Sequence, residues 1–279
     1  MLEHSQILRV VELALEEDAP SGDLTSEAFI HESATATADL VAREAGVMAG
    51  GAVLQVAFTA YDARVEVELL VADGDRFGAR DVLARVSGPA RSVLRSERVA
   101  LNLLQRMCAV ATQTAAYVDA VAGTGARVVD TRKTTPGLRA LERHAVRCGG
   151  GHNHRFSLSD AVMAKDNHLA LLPDVTAAIR AARAALPHTT HVEVEVDRMD
   201  QIEPVLAGGV DTIMLDNFTV AELREGVRLV AGRALVEASG GITLETIGDI
   251  ARTGVDVISV GALTHSVRSL DLGLDVKLS

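Results

Sequence analysis

Residues 7–17 repeat apolar positions at three- and four-residue steps, which predicts an amphipathic helix that the cluster Pro20-Ser21-Gly22-Asp23 then stops. The pattern changes next to short β-branched runs at 35–47, 65–71 and 82–86, separated by turn chemistry at Asp73-Gly74-Asp75 and Ser87-Gly88-Pro89. From 91 to 121, Leu94, Leu101, Leu104, Met107 and Val110 recur at helical steps, predicting one long helix that links two domains. Beyond Gly125 the chain alternates short apolar runs with amphipathic stretches. Candidate strands are 127–130, 162–166, 191–196, 212–216, 234–238 and 257–260, giving an α/β class with six parallel strands, as an incomplete α/β barrel or an open doubly wound sheet.

Ligands of such sheets bind at the carboxyl ends of the strands, and these ends are polar in all six cases. The first runs into Thr131-Arg132-Lys133 and the second into Lys165-Asp166-Asn167-His168. The third carries Glu193 and Glu195, the fourth ends in Asp216-Asn217, the fifth in Ser239-Gly240-Gly241 and the sixth passes Ser259 to Gly261. Any one polar end is ordinary loop chemistry; six together predict a shared mouth.

Charge sharpens this reading. The 279 residues carry a formal net charge of −11, which disfavours nucleic acid and anionic membranes as partners, so an anionic ligand requires a local cationic pocket. Lysine is scarce: Lys133, Lys165 and Lys277 are the full set, and the first two fall at strand ends. Arg132, Lys133, Arg139, Arg147, His154, Arg155 and Lys165 make a candidate anion trap, arginine offering a planar fork to carboxylate or phosphate. Arg143 reads better as a solvated helix charge, and Arg139 admits that reading too. Ser239-Gly240-Gly241, before a helix expected near Thr243, and Gly261 after the last strand offer backbone amides to a phosphate. Glu195 and Asp216 can accept from ribose hydroxyls, hold Mg²⁺ through water or stabilise a cationic sugar. Glu193 shares their face by strand alternation, but Glu195 stands nearer the strand end.

Cys148 and Cys108 form no disulfide framework, and Cys148 with His152 and His154 matches no common zinc spacing, so a flexible Gly149-Gly150-Gly151 loop presenting His154 and Arg155 is preferred, with Cys148 buried and His152 incidental. Dinucleotide-binding, Walker-type and nucleophile-elbow motifs are absent from the sequence. No basic leader or membrane-length apolar run is present, and a soluble cytoplasmic protein is expected.

Taken in order, Asp130-Thr-Arg-Lys-Thr-Thr-Pro-Gly-Leu-Arg139, Arg147-Cys-Gly-Gly-Gly-His-Asn-His-Arg155, Lys165-Asp-Asn-His168, Asp216-Asn-Phe218, Glu237-Ala-Ser-Gly-Gly-Ile242 and Ser259-Val-Gly-Ala-Leu-Thr-His-Ser266 resemble the quinolinate phosphoribosyltransferases. The resemblance implies an N-terminal α/β sandwich over residues 1–110, joined by 268–279, and an incomplete six-stranded α/β barrel over 111–267. It implies transfer of phosphoribosyl from phosphoribosyl pyrophosphate to quinolinate with decarboxylation, for NAD synthesis, in a homodimer with shared active sites, with assembly beyond the dimer left open. By motif, Arg132, His154, Arg155 and Lys165 would hold the quinolinate carboxylates, with Arg98 arriving from the partner. Lys133, Glu195, Asp216 and the loops at Ser239, Gly240, Gly241 and Gly261 would serve the donor and its Mg²⁺. Alternatives are a sibling phosphoribosyltransferase acting on another base, a non-catalytic nucleotide-binding regulator and, more distantly, a metal-dependent hydrolase.

Overall fold

The N-terminal apolar period becomes helix α1 (His4–Asp18), which buries Ile7 and Val11. Helix α2 (Leu24–Phe29) follows, capped by Asp23, whose carboxylate accepts from the amides of Thr25 and Ser26. The expected run 35–47 divides into β1 (Thr35–Ala42) and β2 (Gly46–Val47). Residues 43–45 turn the chain between them, and Arg43 and Glu44 pair with Asp275 and Arg268. Helix α3 (Gly51–Thr59), unforeseen in the sequence, buries Val53, Leu54, Ala57 and Phe58 and packs on α1. A nearly all-apolar segment carries no helical period to read. After β3 (Glu66–Leu69), β4 (Arg76–Phe77) and β5 (Val82–Pro89), helix α4 (Ala90–Ala120) runs unbroken for 31 residues, matching the long apolar period.

The later elements alternate as expected: β6 (Arg127–Val129), α5 (Arg139–Cys148), β7 (Val162–Ala164), α6 (Asp166–Leu169), α7 (Val175–Ala185), β8 (Val192–Val196), α8 (Ile202–Gly208), β9 (Thr212–Asp216), α9 (Val220–Val230), β10 (Leu235–Ser239), α10 (Ile247–Ala251), β11 (Val257–Ser259), α11 (Ala262–His265) and β12 (Leu272–Val276). The helix expected near Thr243 begins instead at Ile247; residues 243–246 form a turn in which Thr243 N–H donates to Thr246 Oγ1.

This computed structural model describes residues 2–277; Met1, Leu278 and Ser279, which the expected domain ranges include, lie outside the described residues. The chain divides into two units, one formed by residues up to 115, 134–150 and from 263 onward, the other by 116–133 and 151–262. In the first unit, an antiparallel sheet has the order β12-β1-β5-β3, with Leu40 opposite both Leu274 and Ala84. Leu40, Leu54, Phe58, Leu83, Leu104 and Met107 are fully buried. Within the same unit Glu142 is buried and clamps Arg106 at 2.8 Å, while also accepting from the amide and hydroxyl of Thr135.

The second unit holds a six-stranded parallel sheet of order β6-β11-β10-β9-β8-β7. Strands β7 to β11 lie side by side in chain order, and β6 returns beside β11. A doubly wound sheet would reverse direction at a central switch point; this order instead winds one way and stays open between β6 and β7, the incomplete-barrel alternative. Val194, Val196, Ile213 and Leu215 are buried along the central strands, as expected where helices cover a parallel sheet.

Candidate active site

The polar strand ends of the second unit converge. Thr131, Arg132, Lys133, His154, Arg155 and Lys165 line a cavity of about 310 Å³ together with Glu237, Ser239 and Ser259. Asp130, wholly buried just after β6, shapes its rim: one carboxylate oxygen accepts from the His154 amide at 2.8 Å and the other from the Asn153 side chain at 2.6 Å. His152, expected to be incidental, works through its backbone. Its N–H donates to Val128 O at 2.8 Å and its carbonyl accepts from the Asp130 amide, so residues 152–154 lie along the exposed edge of β6.

Two buried glutamates and the half-buried His154 set the floor. His154 Nε2 lies 3.1 Å from Glu193 Oε2 and 3.4 Å from Glu237 Oε2, and both glutamates are almost wholly buried. Burial opposes a charge on the imidazole, but the hydrogen bonds to Glu193 and then Glu237 outweigh it and raise His154 to about 10. Burial likewise pushes the Glu193 carboxyl up, against the lowering effect of His154. The Arg155 amide donates to His154 Nδ1 at 2.8 Å, which asks for a lone pair there and disfavours the imidazolium. The two buried carboxylates outweigh that single contact between adjacent residues and keep the imidazole above its usual range. Glu193 Oε1 and Glu237 Oε1 have no hydrogen-bond partner.

Around this floor the cations crowd. Burial, and then the positive charge of Arg132, lower Arg155 from the usual arginine range. Arg155 Nη1 donates to Ala161 O at 2.9 Å, which fixes its direction. Lys165 Nζ meets Glu195 Oε2 at 2.5 Å, the lysine 44% exposed and the carboxylate 12%. Glu195 also faces a second, acidic cavity of about 210 Å³, lined by Asp166, Asp197, Asp216 and Asn217 as well. The Lys165–Glu195 pair therefore divides a cationic hollow from an acidic one.

Between β9 and β10, Asn217 adopts φ +60° and donates from Nδ2 to Asp216 Oδ2 at 2.6 Å, while its amide reaches Ser239 O. Gly240, at φ +91°, lies so close that a Cβ there would collide with the Asn217 side chain and amide. The glycine thus permits the Asp216–Asn217 and Ser239–Gly240 turns to meet, with Gly241 beside it at φ +60°. Gly261 follows β11 and opens the single turn α11. Arg139 and Arg147, included in the expected anion trap, belong to α5 of the first unit, where Arg139 Nε donates to Thr134 Oγ1. Arg98 is exposed on α4.

An incomplete parallel barrel with a cationic pocket and an acidic hollow at its strand ends defines an α/β protein built to hold a small polyanion. Sequence comparison makes this specific. The profile described as "Quinolinate phosphoribosyl transferase, C-terminal domain" matches residues 110–275, and the corresponding N-terminal domain matches 23–108. The chain is 42% identical over 278 residues to a "Probable nicotinate-nucleotide pyrophosphorylase [carboxylating]" of Bacillus subtilis, covering 100% of this chain and 96% of that protein. It is 45% identical to the "Nicotinate-nucleotide pyrophosphorylase [carboxylating]" of Mycobacterium leprae, covering 94% of each. The crystal structure of NadC from Streptococcus pyogenes superposes with a TM-score of 0.96 at 44% identity, over 100% of this chain and 99% of that one. The chain belongs to the quinolinate phosphoribosyltransferase family.

Proposed function

We propose that this protein transfers the phosphoribosyl group of phosphoribosyl pyrophosphate to quinolinate, releasing pyrophosphate and carbon dioxide and forming nicotinate mononucleotide for NAD synthesis. The observation that carries this reading is the crowding of Arg132, Lys133, His154, Arg155 and Lys165 around one small cavity in a strongly acidic protein. Glu193, Glu237 and Glu195 offset His154 and Lys165 from one side, and the cationic lining that faces the cavity favours an anion with several negative groups there. Quinolinate, with two adjacent carboxylates, fits that demand.

In this assignment Arg132, Arg155, His154 and Lys165 orient the two carboxylates so that the pyridine nitrogen faces C1 of the ribose. Attack forms the N–C1 bond as the C1–O bond to pyrophosphate breaks. Positive charge develops on the sugar and negative charge on the leaving group, so Glu195 and Asp216 stabilise one end and Lys133 the other. The resulting pyridinium accepts the electron pair left at C2 when the adjacent carboxylate departs as carbon dioxide, and a proton then replaces it there. Ser239, Gly240, Gly241 and Gly261 supply amides for the 5′-phosphate. The acidic hollow presents an all-oxygen donor set of the kind that a hard dication prefers, and Glu195 and Asp216 would hold Mg²⁺ directly or through water. Bound there, Mg²⁺ would offset charge on the departing pyrophosphate.

We further propose a cytoplasmic homodimer in which exposed Arg98 reaches the quinolinate pocket of a second copy. An acceptor panel tests the substrate: pyrophosphate release should occur with quinolinate and not with nicotinate or other pyridine monocarboxylates. Turnover with another pyridine and none with quinolinate would transfer the assignment to a sibling enzyme of the same fold; no turnover with any acceptor would favour a nucleotide-binding regulator.

A further inference from the structure

A second convergence of chemistry lies in the first unit, outside the substrate pocket. Helix α5 places His144 and Cys148 four residues apart, on one face of its last turn. Asp73, in the turn after β3, meets them: its Oδ2 lies 2.7 Å from His144 Nε2, and Cys148 Sγ lies 3.4 Å from that same nitrogen. The histidine that Cys148 finds is therefore His144, not His152 or His154.

The meeting of a carboxylate oxygen, an imidazole nitrogen and a thiol sulfur at one point is what points to a ligand. A neutral imidazole nitrogen offers either one N–H or one lone pair. Without a metal, Nε2–H donates to Asp73 and the Cys148 thiol can give its own hydrogen to the same carboxylate, so the three side chains already converge on one point. A central cation would satisfy all three atoms at once, and these atoms lie within 4.8 Å of one another. With tetrahedral zinc bonds of about 2.0 Å to nitrogen and oxygen and about 2.3 Å to sulfur, ligand atoms stand roughly 3.3–3.5 Å apart. The Cys148–His144 separation already has that value, and the Asp73 oxygen needs to retreat by only roughly 0.6 Å.

The surroundings suit such a role. Asp73 Oδ1 accepts from the amides of Gly50 and Gly51, both at 2.9 Å, so the carboxylate is oriented by contacts that leave Oδ2 aimed at the cluster. The side chains of Asp73 and His144 are 27% and 26% exposed, leaving an open direction for a water as fourth ligand. Thiolate and imidazole select a borderline or soft metal over Mg²⁺.

We propose that Asp73, His144 and Cys148 form a zinc-type divalent metal site that ties the last turn of α5 to the loop after β3. The site is separate from the reaction assigned above and stands whether or not that assignment does. The full-length protein, stripped by a chelator and kept in excess Mg²⁺, is titrated with Co²⁺ as a spectroscopic substitute. The expected result is a thiolate-to-cobalt charge-transfer band that saturates at one equivalent and is displaced by Zn²⁺. The oxygen-only acidic hollow and the sulfur-free His154–Glu193–Glu237 cluster cannot give that band. Cys148→Ser should abolish it, Asp73→Asn should weaken binding by at least about tenfold, and Cys108→Ser should leave it intact. In the unmutated protein, Zn²⁺ should slow alkylation of Cys148. Absence of the band, its survival in Cys148→Ser, or alkylation at an unchanged rate with Zn²⁺ would overturn the proposal.

Discussion

Lys133 and Arg155 line the same cavity, yet the proposed chemistry gives them different tasks, and kinetics separate them. Lys133→Ala should lower kcat by about 10²–10³-fold, because its charge is needed as the leaving group forms, with little change in quinolinate affinity. Arg155→Ala should chiefly raise the quinolinate KM, by roughly 10–100-fold, the worth of a charge-assisted hydrogen bond. Equal effects of both substitutions on both parameters would contradict this division. His154 adds a pH signature. Its folded-state value near 10 lies above the usual histidine value of 6.5, so the linked stability is fully present below about pH 6.5 and fades as pH rises toward 10. The urea midpoint should therefore fall over that interval by more in the unmutated protein than in His154→Gln. Glu193→Gln removes one of the two carboxylates, so the basic limb of the kcat/KM profile for quinolinate should move to lower pH by on the order of 1 unit. An unmoved limb would show that His154 does not titrate in the productive complex. Residues at strand ends were legible in the sequence because charge there is conspicuous against apolar strands. The buried pairing of Glu193 and Glu237 with His154 was not, because it joins two strands and a loop distant in sequence.

Elements differ in how openly their sequences declare them. Helix α4 and the six parallel strands follow from periodicity and short β-branched runs, whereas the exposed face of α3 carries apolar Ala52 beside Gln55 and Thr59 and so shows no clear polar stripe, and β2 and β4 have only two residues each. Loop geometry was least legible. The Ser239-Gly240-Gly241 segment leads to a turn before helix α10, and its glycine is explained by Asn217, a neighbour across the sheet. Gly240→Ala should cost about 1–2 kcal/mol from the left-handed backbone alone, with the collision against Asn217 added to it, measured by urea unfolding. The α5 region depends on another contact invisible to pattern reading, the buried Glu142 that holds Arg106 and both polar groups of Thr135. Glu142→Ala strands a partly buried guanidinium, and a loss of about 3 kcal/mol is expected. Glu142→Gln, which keeps the shape and one acceptor, should lose less. Equal losses would show that the charge contributes nothing.

At the scale of the whole molecule, a net charge of −11 surrounds a pocket rich in arginine and lysine, so the protein repels polyanions generally while attracting them at one mouth. No helix among the described residues is long and apolar enough to cross a membrane. The fold class was legible because alternation of strand and helix survives in sequence, and the family because its motifs recur in order across nearly the full chain. A partnership between subunits leaves no comparable mark; Arg98 by itself is an exposed helix charge. If sites are shared, Arg98→Ala and Lys165→Ala, each inactive alone, should recover about one quarter of full activity after subunit exchange, since half the dimers are mixed and each has one intact site. No recovery after demonstrated exchange would contradict shared sites. The most direct test of the assigned reaction uses quinolinate labelled in the carboxylate next to nitrogen, with phosphoribosyl pyrophosphate and Mg²⁺, following nucleotide and labelled carbon dioxide together. Equal amounts of nicotinate mononucleotide and labelled carbon dioxide are predicted; nucleotide that retains the label, or no nucleotide at all, would contradict the account.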